Sequence, residues 1–512
     1  MIDLTTTRLE QMTERRELDA LAGATGDLFL EIAGDASTGV TGLAYDSRKV
    51  ERGDLFFCMP GTLRDGHSFA HEVATAGAAA LVVERPTGAG IPEIRVRDAR
   101  RAMGRIAAEF YGRPADDLLV LGVTGTNGKT TTAYLLESIL ERAGKHPGLV
   151  GTIETRFAGR TRPGVRTTPE SVDLQALFAE MKDAGTGSVA MEVTSHALVL
   201  HRVEGIRFRA ASFTNLTQDH LDFHSGMEDY FEAKRALFTP ERSDAGAVNV
   251  DDPYGRKILE SADVPCVSFG TAPDADIRAT DVDVRPDGTT FVLRWEAGEL
   301  PIASSLAGAF NVYNCLAAAA TALQAGLSPD AIAGGIAGVA AVPGRFESIV
   351  KGQPFAVVVD YAHTPDSLDN VLRAARSLTR EAHGHRGSVI AVFGCGGDRD
   401  RSKRPLMGAA AARMSDCVIV TSDNPRSEDP EAIIGEILEG VMAESADGPD
   451  AVFVDRREAI DHAIARAGAG DVVVIAGKGH ETGQQFAERT VPFDDREVAG
   501  DALASAGWSG SR

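Results

Sequence analysis

The 512-residue chain has little cysteine, little tryptophan and no long apolar run, and each shortage excludes something. Five cysteines, Cys58, Cys266, Cys315, Cys395 and Cys417, are scattered, odd in number and without metal-ligand spacing. They rule against a disulfide framework and predict buried thiols in a reducing compartment. No window approaches the ~20 apolar residues that a membrane span requires. Met1–Asp19 is charged and lacks an apolar core, so it does not read as a signal peptide. Basic charge is short as well: 52 Lys and Arg against 74 Asp and Glu leave a net charge of −22. That balance argues against a nucleic-acid or membrane partner, while local basic sites can still take anionic substrates. A cytoplasmic monomer is the default expectation.

Most of the informative sequence is glycine-rich turns between strands and helices. Leu119–Val123 is a short apolar run that reads as a buried strand. Gly125, Thr126, Asn127 and Gly128 follow it, then Lys129, Thr130 and Thr131 open a helix to Arg142. A strand, a glycine turn and a helix N-terminus make an anion site, because backbone N–H groups and the helix dipole both favour negative charge. Lys129 would neutralise the β- and γ-phosphates of a nucleotide, and the Thr130 hydroxyl could ligate Mg2+. The spacing departs from the general phosphate loop, since Val123 stands where its first glycine belongs. An ordinary Gly-rich turn would leave Lys129 without a role.

The length predicts two to four domains of α/β class. Residues 1–113 read as a first α/β domain ending at Gly112-Arg113-Pro114. Its polar strand ends, Asp46-Ser47-Arg48 and Gly61–Gly66, are ordinary turn sequence by themselves. Residues 114–345 hold the phosphate loop. Glu192 ends a strand at Ser188–Val193, where a second Mg2+ ligand usually sits. Asp219, His220, Asp222 and His224 crowd six residues and lean towards metal or phosphate chemistry. Lys234 on the next helix would alone read as a solvated charge. Asn311 and Asn314 either cap an alanine-rich helix or present amides to a purine. Residues 346–512 alternate strand and helix as in a doubly wound, Rossmann-like sheet. Four polar motifs stand at its strand ends: Asp360–His363, Gly394–Arg401, Ser422–Arg426 and Gly477–Glu481.

In these motifs the chain resembles the Mur ligases, ATP-dependent amide-bond formers of peptidoglycan assembly, over residues 42–490. The resemblance implies three domains: an N-terminal one for the UDP portion, a central phosphate-loop ATPase and a C-terminal Rossmann-like one for the amino acid. It also implies Mg2+ as cofactor, ATP as co-substrate, and Glu192, His220 and Lys234 beside Thr130 around the metal. Lys234, in Tyr-Phe-Glu-Ala-Lys-Arg, matches a lysine carbamylated by CO2 to N6-carboxylysine, with Lys129, Glu192, His220 and Lys234 as the catalytic set. Asn314, Arg345, Asp360 and His363 match nucleotide contacts. Ser47, Thr167, Thr168, Thr194 and Arg202 match contacts to UDP-N-acetylmuramoyl-L-Ala-D-Glu. Asp423, Asn424, Pro425 and Arg426 match the run of members that add meso-diaminopimelate, with Arg399, Gly477 and Glu481 completing that site. Arginine suits the extra carboxylate of diaminopimelate because it clamps carboxylates bidentately. A lysine-adding ligase of the same family is the near alternative, and a folylpolyglutamate-type ligase shares the ATP machinery. A catalytically silent nucleotide-binding scaffold would be expected to have lost Lys129, Glu192, His220 or Lys234.

Overall fold

The computed structural model describes residues 15–61, 64–285, 288–382 and 385–510. Most of the amino-terminal segment read above, Thr62 and Leu63 within the Gly61–Gly66 run, and the last two residues lie outside these. Among the described residues the chain forms two compact units. One comprises Met1–Gly122, Lys145–Arg209 and Ala236–Asp244; the other comprises Val123–Gly144, Ala210–Arg235 and Ala245–Arg512. The α/β class expected from the alternating pattern holds in both.

The first unit contains a five-stranded sheet in the order Phe29–Ala33, Glu93–Val96, Ala80–Val83, Asp54–Phe57, Gly42–Ala44. All pairings are parallel except that of the Phe29–Ala33 edge. Helix Ala99–Phe110 covers the sheet because Ala102, Met103, Ile106, Ala107 and Phe110 recur at helical spacing and are buried. Asp98 caps it, its carboxylate accepting from the Arg101 N–H at 2.9 Å, as the sequence suggests. Further along, Pro147–Val150 pairs in parallel with Ser188–Glu192, and a hairpin of Glu154–Phe157 and Arg160–Pro163 extends it.

In the second unit the phosphate loop leads into helix Lys129–Arg142. Strands Ala210–Phe213, Gly246–Asn249 and Cys266–Gly270 run parallel, then Ile277–Arg285, Gly288–Trp295 and Gly298–Ser304 form an antiparallel meander. The alanine-rich helix is Ala309–Gln324, and Gly308 stands at its N-cap without a side-chain cap. Asn311 and Asn314 therefore lie inside the helix, and the capping alternative is not what is found.

The carboxy-terminal sheet orders its strands Glu347–Ser348, Ala356–Asp360, Val472–Ala476, Val389–Phe393, Cys417–Thr421, Ala451–Phe453. The last five are mutually parallel. Period-two alternation divides each strand between two cores. Val358, Ala391, Val420 and Val474 face helices Pro365–Leu378, Lys403–Met414 and Pro430–Glu444, while Val357, Ile390, Ile419 and Val473 face Arg456–Arg466 and Asp495–Ser505. Because four neighbouring strands are parallel, the four polar motifs that follow them share one edge of this sheet.

A fully buried ion pair fastens that edge from beneath. Arg456 Nε and Nη2 donate to the two carboxylate oxygens of Asp495 at 2.8 and 2.7 Å, and neither side chain is exposed. The same guanidinium donates to the carbonyls of Ala476 at 2.9 Å and Ser422 at 3.3 Å, the residues that lead into two of the motifs. Asp495→Asn leaves Arg456 buried without its counter-charge and is expected to cost about 3–5 kcal/mol. A lowered urea midpoint checks this; an unchanged midpoint would mean that water reaches the guanidinium.

Candidate active site

The phosphate loop is shaped by two glycines. Gly125 has φ +148° and Gly128 has φ +87°. A Cβ at Gly128 would lie 2.3 Å from Asn314 Oδ1, so the loop and the helix carrying Asn314 meet at a distance that only glycine allows. Asn314 Nδ2 donates to Asn311 Oδ1 at 2.8 Å, and Asn311 Nδ2 donates to the Ala307 carbonyl at 2.7 Å. Lys129 folds back on its own loop, donating to the carbonyls of Gly125 at 2.9 Å and Thr126 at 2.8 Å. Arg345 Nη2 donates to the Thr130 hydroxyl at 3.0 Å, and its guanidinium lies 4.5 Å from the centroid of the Tyr361 ring. Thr131 is buried in the first turn of the helix.

Lys234 is not a solvated helix charge. It is 1% exposed, its ammonium donates to the Gly125 carbonyl at 2.8 Å, and it stands 4.6 Å from the Tyr230 ring centroid. Burial, with the Lys129 charge second, holds its pKa well below the usual lysine range. His220 has φ +56°; its backbone N–H donates to Asp219 Oδ1 at 2.8 Å, and its half-exposed imidazole Nε2 lies 3.5 Å from Asp219 Oδ2. The Asp219–His224 run is not a metal cluster, and among the described residues no three His, Cys, Asp or Glu side chains gather to hold a metal ion. Asp222 is exposed, while His224 is buried against Tyr230 at 4.9 Å between rings.

The edge of the carboxy-terminal sheet supplies the rest of this unit's groups. Asp360 accepts from the N–H groups of Phe346 at 2.6 Å and Ala362 at 2.7 Å. Burial pushes its pKa up to about 6 against the opposing Arg345 charge. Its carboxylate thus ties down the turn that carries Arg345. His363 Nδ1 lies 2.8 Å from the Tyr361 carbonyl, and burial with the nearby Lys403 charge brings its pKa down to about 4. Asn424 Nδ2 donates to Glu481 Oε2 at 2.8 Å, and the Gly477 N–H donates to the Asp360 carbonyl at 3.0 Å. Arg426 has φ +53° and donates from Nη1 to the Gly397 carbonyl at 2.6 Å. Burial and the Arg399 charge both lower its pKa. Pro425 joins Asn424 to it; Arg399 is exposed and donates to the Asp398 carbonyl at 3.0 Å. Asp423 is buried, and its Oδ1 has no hydrogen-bond partner.

The first unit gathers the other predicted set. Thr168 donates its hydroxyl to the Glu192 carbonyl at 2.9 Å and accepts from the Thr194 N–H at 3.2 Å. Thr194 caps helix Ser195–Val199, and Thr167 Oγ1 is 3.0 Å from Thr152 Oγ1. Arg202 Nη1 donates to the Thr168 carbonyl at 3.3 Å, and its Nε pairs with Glu170 at 2.9 Å. The Glu192 carboxylate, 1% exposed, accepts from the N–H of Thr152 at 2.7 Å and from its hydroxyl at 3.0 Å. Ser47 stands in a short turn capped by Asp46.

Three participants escape the sequence reading. Asp366 accepts from Asn127 Nδ2 at 2.9 Å, linking the phosphate loop to helix Pro365–Leu378. Tyr230 meets Thr126 across 3.1 Å between hydroxyls. Lys478 is fully buried beside Asn424 and Glu481. Lys478 and Tyr230 lie in runs that the sequence singles out, Gly477–Glu481 and Tyr-Phe-Glu-Ala-Lys-Arg, without a role being read for either; Asp366 carries no local signal.

Lys234→Met removes a fully buried amine whose protonation burial disfavours, while keeping the shape of the stem. In the nucleotide-free protein in degassed buffer it is expected to stabilise by about 1 kcal/mol or more. Calorimetry checks it, and a lower Tm would mean that the Gly125 and Tyr230 contacts outweigh desolvation.

Three family profiles match along the chain: the Mur ligase family catalytic domain over residues 39–111, the Mur ligase middle domain over 123–322, and the Mur ligase glutamate ligase domain over 344–479. The UDP-N-acetylmuramoyl-L-alanyl-D-glutamate–2,6-diaminopimelate ligase of Streptomyces coelicolor is 51% identical over 481 residues, covering 92% of this chain and 94% of that protein. A solved structure of an enzyme of that name is 32% identical with a TM-score of 0.69, covering 96% of this chain and 100% of the other. The MurF ligase of Thermotoga maritima in complex with ADP shares the fold, at 19% identity and a TM-score of 0.60 over 91% of this chain and 96% of that one. With these matches spanning its length, the chain belongs to the Mur ligase family, ATP-using ligases of three domains around a central ATPase.

Proposed function

We propose that this enzyme adds meso-2,6-diaminopimelate to the D-Glu γ-carboxylate of UDP-N-acetylmuramoyl-L-Ala-D-Glu, releasing ADP and phosphate. Its domains are 1–113, 114–345 and 346–512, and it works as a cytoplasmic monomer. The reading is supported by the named Streptomyces relative at 51% identity and by Arg426, a half-buried guanidinium that shares a sheet edge with Glu481. A pocket that offers both signs of charge suits an amino acid whose far end carries both.

The γ-carboxylate oxygen attacks the γ-phosphorus of ATP, and the bond to ADP breaks. The amine of diaminopimelate then attacks the acyl carbon, and phosphate leaves with the bonding pair. Lys129 and the Gly125–Gly128 amides bind the phosphates and stabilise charge as it moves. Asn314 orients the adenine, and Arg345, Asp360 and His363 complete the nucleotide site. Mg2+, when bound with ATP, neutralises phosphate charge, and Thr130, Glu192, His220 and Lys234 are its proposed ligands. A hard cation carried mainly by phosphate oxygens needs few protein donors, which suits the absence of a His and carboxylate cage among the described residues. Lys234 joins that set only as a carbamate, because an ammonium repels a cation; its buried, readily neutral amine favours that modification. Ser47, Thr167, Thr168, Thr194 and Arg202 hold the UDP-dipeptide. Arg399 and Asp423–Arg426, with Gly477 and Glu481, hold the incoming amino acid.

ADP release with the UDP-dipeptide, ATP and Mg2+ is expected with meso-diaminopimelate and not with L-lysine. Release with lysine alone would make this a lysine-adding member, and release with neither would favour a silent scaffold. Arg426→Ala is expected to cost roughly 2–5 kcal/mol in kcat/KM for diaminopimelate, as loss of one partner of a desolvated charge pair does. The KM for ATP should change little; an equal loss for both would mean that the clamp is misplaced.

A further inference from the structure

The Gly477–Glu481 run contains one more charged residue than the proposed binding roles use. Lys478 has no exposed side-chain surface. Its Nζ donates to Asn424 Oδ1 at 3.1 Å, to Glu481 Oε2 at 3.0 Å and to the Gly483 carbonyl at 2.6 Å. An ammonium has three protons and accepts nothing, so three such bonds saturate it. Lys478 therefore has no donor left for a ligand, and whatever it does for the site it does through its neighbours.

Those neighbours are held in one arrangement. Asn424 Oδ1 accepts from both Lys478 and the Gln485 N–H, the latter at 2.9 Å. A flipped amide would set its NH2 against two donors, so Nδ2 must be the atom that donates to Glu481 Oε2 at 2.8 Å. One oxygen of Glu481 thus takes two bonds from fixed donors, and the carboxylate cannot rotate without breaking both. The ammonium also stands 3.9 Å from Asp423 Oδ1, the buried oxygen without a hydrogen-bond partner, and with Arg456 supplies the positive charge that faces it.

We infer that Lys478 is a positioning residue that orients Asn424 and Glu481, and thereby sets how well the enzyme tells meso-diaminopimelate from its LL isomer. The inference rests on the diaminopimelate reading above. The two isomers carry the same ammonium and carboxylate on the far carbon in opposite handedness. A site can read that handedness only if the group facing the ammonium and the group facing the carboxylate are both fixed. Arg426 is fixed by its bond to Gly397, and Glu481 is fixed by Lys478.

The test is steady-state kinetics of wild type, Lys478→Met and Lys478→Gln with meso- and LL-diaminopimelate, ATP and the UDP-dipeptide each varied in turn. The KM for meso-diaminopimelate is expected to rise tenfold or more and the preference for meso over LL to collapse towards unity. The KM values for ATP and the UDP-dipeptide should stay within twofold. Glu481→Gln combined with Lys478→Met should lose no more selectivity than the worse single variant, since both act on one carboxylate. KM values that rise together for all substrates, or a preserved isomer preference, would overturn the inference. Failure of both Lys478 variants to fold would assign the residue to stability alone and overturn it as well. A wild type inactive on meso-diaminopimelate overturns the functional reading and this inference with it, whereas an active wild type with unmoved selectivity in the variants overturns the inference alone.

Discussion

Two ammonium groups share one carbonyl oxygen. Lys129 and Lys234 both donate to Gly125, at 2.9 and 2.8 Å. Two full charges that share one acceptor repel by a few kcal/mol at an effective dielectric of about 20. The pair can relieve this by binding an anion or by giving up a proton, and the depressed pKa of the buried Lys234 marks which group yields. Lys129, at the mouth of a helix N-terminus, is placed to meet a phosphate. Lys234, enclosed beside it, has its pKa held well below the usual lysine range, by burial first and the Lys129 charge second. Identical side chains thus acquire different chemistry from their surroundings.

The carboxy-terminal sheet meets a related demand with backbone. Its motifs must present charged side chains from four loops, and loops by themselves hold position poorly. Here they are cross-linked. Asp360 takes N–H groups from Phe346 and Ala362, its own carbonyl accepts from Gly477, and Arg456 gathers the carbonyls of Ser422 and Ala476 over Asp495. The strands end at one edge because they are parallel, and the buried ion pair ties two of those ends together across the intervening strand Val389–Phe393. An oriented site on a doubly wound sheet depends as much on these ties as on strand order.

The sheet and its layers were legible because alternating Val and Ile leave little choice of register. The phosphate loop was legible because glycine spacing and a following lysine have few other uses. Lys234 was misjudged from composition alone: a lysine in Tyr-Phe-Glu-Ala-Lys-Arg looks solvated, and only the resemblance to a family suggested otherwise. Its burial arises from the loop of Gly125, over a hundred residues away, which no local pattern encodes. The Asp219–His224 run divides by burial: Asp222 is in solvent, while the His220 and His224 rings both lie near Tyr230. Asn314 could be read as a cap because helix starts are inferred from polar residues, whereas Gly308 with φ +98° makes the actual start. Asp366 and Tyr230 stayed unread because each matters only through a partner about a hundred or more residues distant.

Few of the basic side chains that bind substrate in the proposed reading wait with an empty guanidinium or ammonium. Lys129 rests on two carbonyls, Arg345 on the Thr130 hydroxyl, Arg426 on the Gly397 carbonyl and Arg202 on Glu170. Neutral oxygens are weaker partners for a cation than phosphate or carboxylate, because charge-assisted bonds are about twice as strong. At Lys129 and Arg345 an arriving anion can therefore displace the resting contact at a net gain, while water, itself neutral, has little to offer over the oxygen it would replace; Arg426 has further N–H groups to offer and keeps its Gly397 bond. Arg202 differs, since its resting partner is already a carboxylate. There the gain must come from relieving Arg100 and Arg166, which crowd the same glutamate and lower the pKa of Arg202 alongside its burial. Three guanidinium groups about Glu170 form a local basic cluster, and such a cluster suits an anionic ligand even in a chain of net charge −22.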